Sequence, residues 1–68
     1  MTFKMRIARL NIKQKDIAEA ISDDRLKVDR PMLSRIVNGT ATKTERHNVA
    51  ANRLNRYLLK LEDERGLS

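Results

Sequence analysis

Across 68 residues this chain has one proline, Pro31, and two glycines, Gly39 and Gly66, and that scarcity of chain-breaking residues constrains its fold more than anything else. Three interruptions cannot supply the closely spaced turns of a small β-sheet protein, and no stretch alternates β-branched or aromatic residues with polar ones. Apolar residues recur instead at intervals of three and four, the period of a helix face. The expectation is an all-α fold, a single domain spanning residues 1–68. A chain this short buries only about 60% of its unfolded surface. It has no cysteine, so neither a disulfide nor a thiolate-bound metal can supplement the core. Further stability has to come from well-formed helices or from a second copy of the chain.

Four helices can be placed. Thr2 caps a first one, with Phe3, Ile7 and Leu10 on one face, and Asn11-Ile12-Lys13 breaks it. A second runs from about Gln14 to Ile21 with Ile17, Ala18 and Ile21 inward. The polar stretch Ser22–Lys27 reads as a loop. Asp29 is a good cap for a third helix, with Pro31 in the first turn, where no intrahelical amide bond is lost. Its inward stripe is Leu33, Ile36 and Val37, and Asn38-Gly39 closes it, glycine readily taking the left-handed conformation. Thr42 and Glu45 fit a capping box for a long helix over about 43–64, ended by Arg65-Gly66. Its apolar positions Val49, Ala50, Leu54, Tyr57, Leu58 and Leu61 form one stripe. Beyond Leu54 this helix is expected to outrun the other three, leaving Leu54, Tyr57, Leu58 and Leu61 as the candidate dimerisation segment of a homodimer.

The net charge is +6, which suggests a polyanionic partner. The charge is blocked. Lys4, Arg6, Arg9, Lys13 and Lys15 precede any acid, then Asp16, Glu19, Asp23 and Asp24 follow without a base, and residues 25–60 are again strongly basic. Lys13, Lys43 and Arg46 are expected to add sequence-independent attraction for phosphates. Phe3 and Tyr57 are the only aromatic residues, which disfavours binders that stack single-stranded bases. No apolar run approaches the roughly 20 residues of a membrane-spanning helix, and no signal peptide is visible, so a cytoplasmic protein is the default. A lone histidine, His47, reads as a surface residue. No metal site, cofactor, nucleophile–base set or phosphate loop can be assembled, so an enzyme is not expected.

The pattern Gln14-x-x-Ile17-Ala18-x-x-Ile21, followed by Val28-x-x-x-x-Leu33-Ser34-x-Ile36-x-Asn38-Gly39, has a packing logic. Ala18 is small enough for two helices to cross closely, and Ile17, Ile21, Val28, Leu33 and Ile36 fill the space around the crossing. Arg30, Met32, Ser34 and Arg35 are left facing outward. The pattern over about residues 14–39 resembles the helix-turn-helix of the Cro/repressor-type (XRE-like) family of phage repressors, small bacterial regulators and antitoxins. That resemblance implies a lambda-repressor-like fold whose third helix enters the major groove of double-stranded DNA in a bacterial host cell. It implies that Gln14 donates to a phosphate, that Arg30, Pro31, Ser34 and Arg35 face base edges, and that Asn38, Thr40 and Lys43 approach the DNA backbone. The sequence departs from the family in the enlarged loop Ser22–Lys27, where a tight glycine turn is usual, and in one long last helix where two short ones are usual.

Two other function classes stay open on the sequence. One is a protein–protein module on the same scaffold that blocks a host protein or another antagonist, motivated by Asp23 and Asp24 in the enlarged loop. The other is a basic amphipathic membrane binder, disfavoured because the long helix ends in Glu62-Asp63-Glu64.

Overall fold

Thr2 starts the first helix by accepting the amide of Met5 on its hydroxyl at 3.2 Å. The computed structural model describes residues 2–40 and 44–67. Among them are four α-helices and no strand: α1 (Phe3–Leu10), α2 (Gln14–Ile21), α3 (Arg30–Asn38) and α4 (Glu45–Glu64). Each boundary has a local cause. Asn11 closes α1 in the left-handed conformation at φ 55°, which asparagine tolerates better than most side chains. Asp29 accepts the Met32 amide at 2.8 Å to open α3, with Pro31 in the first turn. Gly39 ends it at φ 74°, where its amide and that of Thr40 reach back to Ile36 and Arg35 carbonyls at 3.2 and 2.9 Å. This closes the helix in the manner of a Schellman turn.

The start of α4 differs from expectation. Thr42 and Lys43 lie outside the described residues, and the cap is Thr44, whose hydroxyl accepts the His47 amide at 3.3 Å. The threonine two residues later offers the same hydroxyl-to-third-amide geometry, so Glu45 becomes the first helical residue.

One layer of side chains joins the helices. Leu10 from α1, Ile17 from α2, Leu33 from α3, and Leu54 and Leu58 from α4 are fully buried. α4 packs against each of the other three helices, and α3 also touches α1 and α2. Ala18 and Ala50 are small residues in the same core. Met32 was expected outside and is buried. At about 100° per residue, Met32, Leu33, Ile36 and Val37 share one arc of α3, so the inward face is wider than Leu33, Ile36 and Val37 alone. Val49, expected in the apolar stripe of α4, is exposed instead.

The second half of α4 does not outrun the domain. Leu58 is fully buried within its own chain, and Tyr57 and Leu61 are half-buried against the core. α1 lies along one side of this half of α4, and Tyr57 sits beside Ala20 and Ile21 of α2. Arg6 makes a forked ion pair with Glu62, with its Nη2 2.6 Å from Oε1 and its Nε 3.1 Å from Oε2. The same guanidinium donates to Asn55 Oδ1 at 2.8 Å, and Arg9 reaches Glu62 Oε2 at 3.3 Å. The side chains of Arg6 and Glu62 are only 13% and 6% exposed. Arg65 donates to the Leu10 carbonyl and so ties the end of α4 to the end of α1. Leu54 and Leu58, read from the sequence as dimerisation residues, are therefore committed to the monomer's core.

Hydrogen bonds from the Arg6 guanidinium hold the Glu62 carboxyl below its ordinary value. Burial opposes this, and the charges of Arg6 and Arg9 assist it. A folded-state value below the unfolded one means that the stabilisation is fully present above about pH 4.3, the unfolded glutamate value, and is lost as pH falls through the folded value. Glu62→Gln is expected to melt below wild type at neutral pH, with the gap closing as pH falls from the ordinary glutamate value through the lower folded-state one. Thermal melts at pH 7 and pH 3 check this, and an equal gap at both pH values would rule out the ion pair as the source.

Candidate nucleic-acid interface

Nine residues of α3 divide into two faces. Opposite the buried arc, Pro31, Ser34, Arg35 and Asn38 follow at three- and four-residue intervals and form one outward stripe. Pro31, Arg35 and Asn38 are exposed and Ser34 is half-buried. The Asn38 side-chain amide donates to Ser34 Oγ at 3.3 Å, one turn away. Of the four expected base-facing residues, Pro31, Ser34 and Arg35 share this stripe. Arg30 is exposed but sits at its border, next to the position of Val37. It lines an open cleft of about 550 Å³ with Lys15, Glu19 and Lys27. On the other side, Pro31 and Arg35 border a depression shared with Asp29, Arg46 and His47 at the start of α4.

The expected phosphate-facing residues are spread around α3. Gln14 is the half-exposed first residue of α2, and Lys13 precedes it, exposed, in the cap position. Asn38 and Thr40 are exposed at the far end of α3. Arg46 is exposed in the first turn of α4 and donates to the Lys27 carbonyl at 3.5 Å. Lys43 lies outside the described residues. His47 is half-buried, with Nδ1 2.6 Å from Thr44 Oγ1.

The basic block at the start of the chain does not form one surface. Arg6 and Arg9 are turned onto Glu62, leaving Lys4, Lys13 and Lys15 exposed. On α2 the exposed residues include Asp16 and Glu19. Exposed cations outside these ion pairs include Arg30 and Arg35 on α3 and Arg46 at the start of α4, and also Lys13, Lys15 and, farther along α4, Arg56 and Lys60.

The enlarged loop holds α3 in place by specific bonds. Ser22 Oγ accepts the Val28 amide at 2.9 Å and donates back to the Ala18 carbonyl at 2.5 Å. Asp23 Oδ1 accepts the amides of Arg25 and Leu26 at 2.9 and 2.7 Å, while its own amide donates to the Leu26 carbonyl at 2.8 Å. Leu26 and Val28 are buried in the core. Arg53 on α4 pairs with Asp23 Oδ2 at 2.8 Å and donates to the Ile21 carbonyl at 3.1 Å. That pairing, with the loop amides, holds the Asp23 carboxyl below its ordinary value against an opposing desolvation.

Sequence reasoning missed Glu62 and Arg53. A signal for Glu62 was present: Ala50, Leu54 and Leu58 recur every four residues, and the next position in that buried row is Glu62. Arg53 carried no such signal, because its partners Asp23 and Ile21 come together only through the tertiary fold. Among the described residues, no helix is long and apolar enough to cross a membrane. No protein-family model, curated protein or solved structure matches the chain.

Proposed function

We propose that the protein is a sequence-specific double-stranded-DNA-binding regulator, a repressor of the phage or mobile-element kind, that inserts α3 into the major groove. One observation carries this reading. α3 presents a stripe of Pro31, Ser34, Arg35 and Asn38, without an acidic residue, while its opposite face is buried against α2 and the other helices. A helix about 10–12 Å across fits a major groove about 12 Å wide. An arginine on that stripe is suited to guanine O6 and N7. Pairing of two copies on a palindromic site belongs to the same reading, and each copy has to use exposed surface, since Leu54 and Leu58 are buried in its own core. The work is assigned to the cytoplasm of a bacterial host, and no catalytic step or cofactor is part of it.

The protein–protein alternative rested on Asp23 and Asp24. Asp23 is occupied by Arg53 and by loop amides, which leaves Asp24 as the loop's unengaged acid among the described residues. Selection of bound duplexes from a random pool at two salt concentrations separates the two readings. The regulator is expected to enrich one sequence, with binding that weakens steeply as salt rises. A pool that never enriches, with no measurable duplex affinity, overturns it in favour of the protein-binding module.

A further inference from the structure

The segment 22–29 is fastened at both ends and in its middle, so the position of Arg25 within it is set. Asp23 forms the turn that accepts the Arg25 and Leu26 amides, Leu26 is buried immediately after, and Arg53 anchors Asp23 to α4. The Arg25 side chain is left exposed. It borders a depression of about 320 Å³ with Arg46, Arg53, Glu45 and Val49. Arg46 also borders the neighbouring depression that Pro31 and Arg35 line. Arg25, Arg46 and Arg35 therefore follow one another along a single flank, running from the loop across the start of α4 to the outward stripe of α3.

The charges on this flank are unequally committed. Arg53 is held by Asp23 and the Ile21 carbonyl. Among the described residues no carboxylate lies within ion-pair distance of Arg25 or Arg46. The acids nearby are Asp29, one oxygen of which caps α3, Glu45 in the first turn of α4, and Asp24, next to Arg25 in sequence. We propose that Arg25 and Arg46 bind phosphates of the DNA strand bordering the groove that α3 occupies. The loop between α2 and α3 is then a phosphate-binding element as well as a spacer. This rests on α3 being the groove-inserting helix.

Counterion release tests it without knowledge of an operator. Binding of wild type and of the double variant Arg25→Gln/Arg46→Gln to a random-sequence duplex is titrated against salt. Each lost phosphate contact lowers the slope of log K against log salt by about 0.9. The double variant is expected to lose about 1.8 in slope, and roughly 30-fold in affinity near 0.15 M salt. Arg25→Lys/Arg46→Lys, which keeps both charges, is expected to retain the wild-type slope. Thermal melts of both variants are expected to match wild type, since both side chains are exposed. A double glutamine variant that keeps the wild-type slope overturns the proposal, whether or not its affinity falls, and leaves the reading of α3 standing. A wild-type protein that binds no duplex overturns both.

Discussion

Leu58→Ala is expected to unfold much of the protein at physiological temperature. Leu58 is fully buried in contact with the common core, and truncating such a leucine costs about 2–5 kcal/mol through lost transfer energy and the cavity left behind. At typical per-residue stabilities, a chain of this length holds roughly 3–10 kcal/mol in total. No disulfide offsets the loss, because the chain has no cysteine. With about 4–8 °C of Tm per kcal/mol in so small a domain, a drop of at least about 10 °C is expected in a circular-dichroism melt. The decrease is also expected to be the same at low and high protein concentration, because the side chain is covered by its own chain. A loss that appeared only at low concentration would place Leu58 in an interface between copies. A loss under about 3 °C would contradict its burial altogether.

That prediction depends on the part of the fold that was hardest to read in advance. The four helices were legible because each end carries its own short-range chemistry: Thr2, Asp29 and Gly39 act within a turn of themselves, and helix periodicity shows in any single face. Where two caps compete at close range, as Thr42 and Thr44 do, pattern alone selects poorly, since both offer a hydroxyl ahead of an apolar run. The partner of the second half of α4 was not legible. The contact of Arg6 with Glu62 joins residues 56 apart in sequence, and nothing local distinguishes Arg6 from a solvated arginine on a basic helix. Tyr57, Leu58 and Leu61 therefore looked uncovered, when α1 and α2 both pack along α4 within the same chain.

The α3 region shows the same division. Its limits and the placement of Pro31, Ser34 and Arg35 on one face follow from a period of 3.6, and Met32 was misplaced because its membership of the buried arc depends on how far neighbouring helices wrap around α3. The loop before it read as polar, yet Leu26 enters the core beside Val28, whose inward place was expected, and Ser22 and Asp23 satisfy backbone amides of the segment. Such a loop orients the helix after it. Deleting several of its residues would remove the bonds that fix α3, whereas substituting its exposed side chains leaves those bonds in place.

The sharpest test of the functional reading is an expected asymmetry between the two arginines of α3. Arg35 lies within the outward stripe beside Ser34 and Asn38, so a groove-inserted α3 presents it to base edges. Arg30 lies at the border, in a cleft with Lys15 and Lys27, where the same docking brings it toward the strand and its phosphates. A bidentate arginine–guanine contact contributes about 1–3 kcal/mol of discrimination. Arg35→Ala is therefore expected to cut the ratio of selected-duplex to random-duplex affinity by about 10- to 100-fold. Arg30→Ala is expected to weaken both affinities alike and lower the salt slope by about 0.9. Parallel titrations of the two single variants on both duplexes read this out. If Arg35→Ala kept its full selectivity for the selected duplex, the outward stripe of α3 would not be the surface that reads sequence, and α3 would lose its place as the groove-inserting helix.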